Sequence, residues 1–327
     1  VSSAPRLAAV DTSESVYLDA YLAPFRAWLA REEVSEILVN RPGEVWIESA
    51  DAATMQCVAV PEVDDVHLRR LAEQIARVSH QGINRSRPLL AATLPGGARV
   101  QIIAPSATHG HWAMAIRRHR MVDLTLDAYD HGSLTLPVEP AMPDAQAEPI
   151  AYLREAVRRR RTILISGGTS TGKTTFLNAL LRDVPADERI ITVEDTPEIK
   201  LRVANKLGLI AVKGELGEAL ITTDDLLQAA LRLRPDRIVL GELRGREAVS
   251  FLRAINTGHP GSFSTIHANS PAGALEQLAL MVMQTGLGLT RQDTIAYARQ
   301  VIDVVVQLGR VDGQRRITGI ATTATMA

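Results

Sequence analysis

Thr162-Ile163-Leu164-Ile165-Ser166-Gly167-Gly168-Thr169-Ser170-Thr171-Gly172-Lys173-Thr174-Thr175-Phe176-Leu177 carries three patterns in succession. Its first four residues are a short apolar, β-branched run, the composition of a strand buried on both faces. Gly167 to Thr174 follows as G-x-x-x-x-G-K-[ST] with nothing missing. Thr175 to Leu181 then has apolar residues at helical spacing. Strand, glycine loop and helix is the context in which this loop binds phosphate. Glycines let backbone N–H groups turn inward and cradle oxyanions at a helix N-terminus. The expected ligand-contacting residues are Gly168, Thr169, Ser170, Thr171, Gly172, Lys173, Thr174 and Thr175. Lys173 would reach the β- and γ-phosphates, and the Thr174 hydroxyl would ligate Mg²⁺. A nucleoside triphosphate, ATP with Mg²⁺, is the expected ligand.

Downstream, apolar strands recur at Ile190–Val193, Ile238–Leu240 and Ser262–Ile266, with helical stretches between them. Strands alternating with helices argue for an α/β domain built on a parallel sheet. Ligands of such sheets sit beyond the carboxyl ends of the strands. Three residues stand there. Glu194 follows Ile190–Val193 and is a candidate base for the attacking water. Glu242 follows Ile238–Gly241 and would support the Mg²⁺ shell, through water. His267 follows Ile266 and would sense the γ-phosphate. Each of these acids alone reads equally as a solvated strand-end residue, and a lone His is more often structural; it is their company with a complete phosphate loop that points to hydrolysis.

Upstream, the pattern is mixed α+β. Leu18, Leu22, Phe25 and Leu29 fall on one helical face, expected to pack on its own domain rather than on a membrane. Ile37 to Glu48 reads as strand, turn, strand around Pro42-Gly43. A helix is expected around Val66–Val78, and strands at Ala98–Ile103 and Trp112–Arg117. Between the regions, Leu134 to Pro149 reads LTLPVEPAMPDAQAEP, with four prolines and no period, as a linker does. The expected division is therefore residues 1–133 as a smaller N-terminal α+β domain, 134–149 as linker, and 150–327 as the nucleotide-binding domain.

Composition narrows the class. The chain has 327 residues, enough for two domains. A formal net charge of −1 gives no basic field that would mark nucleic acid as the main partner. Cys57 is the only cysteine, which excludes an internal disulfide framework and suits a reducing compartment. No apolar run approaches the roughly 18 residues of a membrane span, and Val1–Arg6 is not expected to act as a secretory signal. Arg158-Arg159-Arg160-Arg161 reads as the cationic last turn of a helix, which the helix dipole favours, or as a contact to anionic lipid. His109, His111 and His119 fit no structural zinc spacing.

The phosphate loop, the acidic box VEDTPE (Val193–Glu198), the motif RPDRIVLGELR (Arg234–Arg244) and the histidine box TGHPGSFSTIHANSP (Thr257–Pro271) stand intact and in order. Together they resemble the secretion-system (traffic) ATPase superfamily. The first-domain stretches Glu36–Trp46 and Leu94–Val100 make the chain most similar to the soluble ATPases of type IV secretion and conjugation machines, the VirB-eleven type. The resemblance implies a RecA-like fold for the second domain. It also implies a homo-hexameric ring with ATP between the domains, and first-domain arginines that reach the phosphates. Arg99 and Arg117 match those positions best, with Arg118 and Arg120 close by. Arg232 and Arg234 are weaker candidates, which pair as well with acids. The implied setting is cytoplasmic and peripheral at the inner membrane, beside secretion-channel and coupling-ATPase components, with no sequence-specific nucleic-acid binding. The loop departs from many relatives in carrying Thr-Ser-Thr, a change that backbone cradling should tolerate. The rival readings are a type IV pilus extension or retraction motor, a type II secretion ATPase, a non-hydrolysing nucleotide-gated scaffold, and a small-molecule kinase. The single cysteine argues against those type II relatives that carry a four-cysteine zinc element.

Overall fold

The structure is a computed structural model that describes residues 12–118, 125–130, 132, 139–212 and 221–325. His119, Arg120 and residues 134–138 of the expected linker lie outside the described residues. The chain divides into two compact units, residues 1–119 with 212–221, and residues 120–211 with 222–327.

The first unit begins with α1 (Thr12–Tyr21), a short 3₁₀ turn at Ala23–Phe25, and α2 (Arg26–Leu29). The single helical face expected through Leu18, Leu22, Phe25 and Leu29 is thus broken. Pro24 sits at the start of the 3₁₀ turn, where its missing N–H leaves no helical bond unmade. Burial follows the expected face nonetheless: Leu18, Leu22 and Phe25 enter the core, and Leu29 packs against it. β1 (Val34–Val39) and β2 (Glu44–Ser49) form the hairpin anticipated around Pro42-Gly43, where Gly43 takes a φ of +83°. β3 (Gln56–Ala59), α3 (Asp65–Val78), β4 (Leu89–Thr93), β5 (Arg99–Ile103) and β6 (Ala113–Arg117) complete an antiparallel six-stranded sheet, order β3-β2-β1-β6-β5-β4. Asp64 caps α3 by accepting the His67 N–H, which satisfies one orphan donor of its first turn. The helix lays Leu68, Leu71, Ala72, Ile75 and Ala76 into the core.

The second unit follows α4 (Pro149–Arg158) with a seven-stranded sheet. Its strands are β7 (Ile163–Gly167), β8 (Ile190–Glu194), β9 (Lys206–Ile210), β10 (Arg237–Leu243), β11 (Phe263–Ile266), β12 (Val304–Val311) and β13 (Gln314–Thr322), in the order β13-β12-β7-β11-β10-β8-β9. All neighbours are parallel except the β12–β13 hairpin. β7 and β8 are buried throughout, as strands of a covered parallel sheet are. The remaining helices are α5 (Lys173–Leu180), α6 (Thr223–Ala230), α7 (Glu247–Asn256), α8 (Pro271–Met283) and α9 (Arg291–Val301).

The arginine run after α4 is absorbed within the unit. Arg158 lies 3.7 Å from Glu155, and Arg159 bonds Glu155 at 2.7 Å and Glu139 at 3.2 Å. Arg160 meets Glu188 at 3.3 Å and Arg161 meets Asp303 at 3.1 Å. Glu188 also takes a two-pronged contact from Arg237, which is fully buried. At the N-terminal ends of β8 and β10, this pair fastens the sheet edge away from the phosphate loop. Removing one partner of such a buried pair typically costs about 3–5 kcal/mol, because the other charge is left without compensation.

Candidate active site

β7 ends at Gly167, where an added Cβ would lie 2.5 Å from Thr171 Oγ1 and 3.0 Å from the Leu308 carbonyl. Glycine is therefore required by space. Gly172 is required by conformation, with φ +89°. Thr171 Oγ1 donates to the Gly168 carbonyl at 2.9 Å and closes the loop on itself. Gly172 caps α5 without a side-chain hydrogen bond. The first-turn N–H groups of α5 therefore lack a side-chain acceptor, the condition under which a helix start receives an anion.

Lys173 is buried, and its Nζ donates to the carbonyls of Gly167 at 3.1 Å and Gly168 at 3.3 Å. Both ring nitrogens of His267 lie 3.3 Å from the same Nζ. His267 Nε2 in turn lies 2.7 Å from Glu242 Oε1. The three residues form one contiguous chain, Lys173, His267, Glu242. Burial lowers the Lys173 pKa from its ordinary value, and the Glu242 charge offsets part of that shift.

Sheet order explains the convergence. β7, β11, β10 and β8 are consecutive neighbours and parallel. Their C-terminal ends present, in that order, the phosphate loop, His267, Glu242 and Glu194 along one edge. β10 also slips register against β11 between Leu240 and Leu243. Such a bulge re-aims a side chain, and Glu242 lies within it.

Glu242 Oε2 accepts from Arg244 Nε at 2.5 Å. Its Oε1 is buried and receives no aligned hydrogen bond. A buried carboxylate oxygen beside a phosphate loop, with the His267 ring 2.7 Å away, fits a hydrated hard cation, and the Thr174 hydroxyl adds a second oxygen donor on the loop. Glu194 is differently placed. It is 3 % exposed, and its Oε1 accepts the N–H groups of Glu198 and Ile199, each at 2.8 Å. Its Oε2 accepts from Thr192 Oγ1 at 3.3 Å. In this conformation Glu194 anchors the turn of the acidic box.

Arg244 and Asp195, both inside the quoted motifs, carry no role in the sequence reading. Arg244 reaches Glu242 and, at 3.5 Å, Asp195, so it links the ends of β10 and β8. Its pKa is raised, chiefly by the hydrogen bond to Glu242. Alternation of charge around a strand end was the only signal available for either. Within the histidine box, His259 and Gly261 are structural. His259 Nδ1 donates to the Pro235 carbonyl at 3.0 Å. Gly261 has φ +77°, and a Cβ there would meet Arg237 Nη1 at 2.6 Å. Arg234 pairs with Asp236 at 2.6 Å.

In the first unit, Arg99 and Arg117 are direct cross-strand neighbours on β5 and β6, and both are exposed. Arg117 faces Glu36 across β1, with its Nε 3.4 Å from Glu36 Oε1. Like charges directly opposite each other are destabilising, and Glu36, almost wholly buried, offsets one of them. Arg118 is used otherwise: its guanidinium bonds the carbonyls of Arg31 and Val34. Arg117 and Arg118 thus have different partners.

Comparison with known proteins shows the family. Residues 21–312 match the family described as "Type II/IV secretion system protein". The chain is 39% identical to the type IV secretion system protein PtlH of Bordetella pertussis over 331 residues, 96% of each chain. It is 38% identical to the type IV secretion system protein VirB11 of Brucella suis, covering 95% of this chain and 91% of that one. The crystal structure of the VirB11 ATPase from the Brucella suis type IV secretion system, in complex with sulphate, superposes with a TM-score of 0.84 at 34% identity, covering 96% of each chain.

Proposed function

The chain belongs to the type II/IV secretion system protein family, among its type IV secretion ATPases, and from that premise we propose a ring-forming motor that turns ATP hydrolysis into work on a secreted substrate or an assembling pilus. The observation that carries the reading is the contiguous chain Lys173, His267, Glu242 laid along an uncapped phosphate loop. Lys173 and the N–H groups of Gly168 to Thr175 hold the phosphates. Lys173 must leave the Gly167 and Gly168 carbonyls to do so, which makes the loop's own carbonyls its resting partners. His267, joined to Lys173 and to Glu242, registers whether a γ-phosphate is present. Thr174 and Glu242 would hold Mg²⁺, which neutralises charge on the phosphates. Glu194 orients or deprotonates the attacking water.

The residues 1–133 form the smaller domain of this machine, 134–149 its linker and 150–327 its ATPase domain. Arg99 and Arg117 serve as the first domain's phosphate contacts. Their support is the paired, exposed guanidiniums on β5 and β6, a bidentate chemistry suited to phosphate. The ring is a homo-hexamer, cytoplasmic and peripheral to the inner membrane, working with channel and coupling-ATPase components. Among the described residues no helix is long and apolar enough to cross a membrane.

Glu194→Gln tests the chemistry. A Gln side-chain oxygen still accepts the Glu198 and Ile199 N–H groups, so the turn is kept while the base is lost. The variant should bind ATP as the wild type does and release phosphate at least about 100-fold more slowly. Full turnover would remove Glu194 from its assigned role.

A further inference from the structure

The β12–β13 hairpin runs past the end of the strand that feeds the phosphate loop. Leu308 of β12 pairs with Gly167, the last residue of β7. The next paired positions, Gly309 with Arg316 and Arg310 with Arg315, therefore lie beyond that strand end. Arg315 comes back against the loop itself. A Cβ added to Gly172 would sit 2.8 Å from Arg315 Cδ, 3.3 Å from Nε and 3.4 Å from Nη1. The end of the Arg315 side chain thus lies against the last glycine of the loop.

Among the described residues nothing answers its charge. Arg315 is exposed, and among the described residues it makes no hydrogen bond or ion pair. Its neighbours are of its own sign: the uncapped N-terminus of α5 and, across the hairpin, Arg310. A cation at the positive end of a helix is unfavourable. The arrangement is stabilised once an anion occupies the loop.

We propose that Arg315 is a further phosphate-binding residue, which closes the outer side of the loop on the phosphate chain of the bound nucleotide. The proposal rests on the reading of Gly167–Thr174 as the nucleotide site. It adds to that site, from the same chain, a contact that lies in no quoted motif. It also gives Gly172 a second reason to be glycine, since a side chain there would displace the arginine.

Binding separates the possibilities. The full chain is titrated calorimetrically with ATP and, separately, with inorganic tripolyphosphate. Arg315→Ala should weaken both ligands by about 10-fold or more, the loss expected for one charge-assisted hydrogen bond to phosphate. The difference should shrink as salt is raised. Arg316→Ala is the control. It removes the same charge from the same hairpin, but its guanidinium donates to Gln314 Oε1 at 3.0 Å, and it should leave both affinities unchanged. Wild-type affinity for both ligands in Arg315→Ala would overturn the proposal. So would a loss confined to ATP, which would place the contact on the nucleoside, and so would an equal loss in Arg316→Ala, which would reduce it to the hairpin's general field. A wild-type chain that binds neither ligand would instead overturn the reading of the loop on which the proposal rests.

Discussion

Lys173 shows how much one side chain's chemistry depends on its neighbours. Burial lowers its pKa, and the ammonium is held on two loop carbonyls and beside His267. A bound phosphate favours the charged form, so the lysine's pKa rises on binding. The sign follows: below the lowered pKa the lysine is charged in both states, and affinity for ATP does not respond to it. Above that value binding must take up a proton, and affinity falls as pH rises toward the ordinary lysine range. Calorimetry at alkaline pH in buffers of different ionisation enthalpy should detect proton uptake on ATP binding, absent in Lys173→Met. At this scale much was legible. The loop, Glu242 and His267 are named by spacing alone, because the chemistry demands those residues at strand ends. Arg244 and Arg315 were not, because alternation of charge at a strand end does not say which surface charges pair, and Arg315 is brought to the loop only by the register of a hairpin.

The elements place these residues, and some motif positions serve only that purpose. His259 is half-buried, and that burial holds its pKa below the ordinary imidazole value. The folded state therefore prefers the neutral ring. Its contribution is present above the unfolded pKa and is lost as pH falls through it, because the unfolded chain binds the proton more readily. Thermal melts between about pH 7.5 and about pH 5.5 should show the wild type losing more stability than His259→Asn. An identical loss in both would assign the acid sensitivity elsewhere. The strands and helices expected from periodicity are present, yet β3, β4, β9, β12 and β13 were not anticipated. β3 is wholly exposed at a sheet edge, so no buried face stamps an alternation on it. β12 carries Val304-Val305-Val306, a buried run that periodicity alone cannot assign to strand or helix. Pro24 breaks what apolar spacing reads as one helix, since spacing records which face is buried and not whether the backbone is continuous.

At the scale of the whole molecule, the family and the α/β architecture were legible because four motifs recur in fixed order along a parallel sheet, and sheet order turns that sequence of motifs into one edge. Assembly is the next level. Light scattering of the chain with ATP and Mg²⁺ should give the mass of six copies, and a monomer at every concentration would count heavily against a ring. The central claim is narrower: one site, built on Lys173, His267 and Glu242, hydrolyses ATP. Steady-state phosphate release from ATP with Mg²⁺, measured side by side for the wild type and Lys173→Ala, tests it most directly. The account predicts sustained release by the wild type and release at background by the variant. Background release by a folded, ATP-binding wild type, or a variant as active as the wild type, would contradict it.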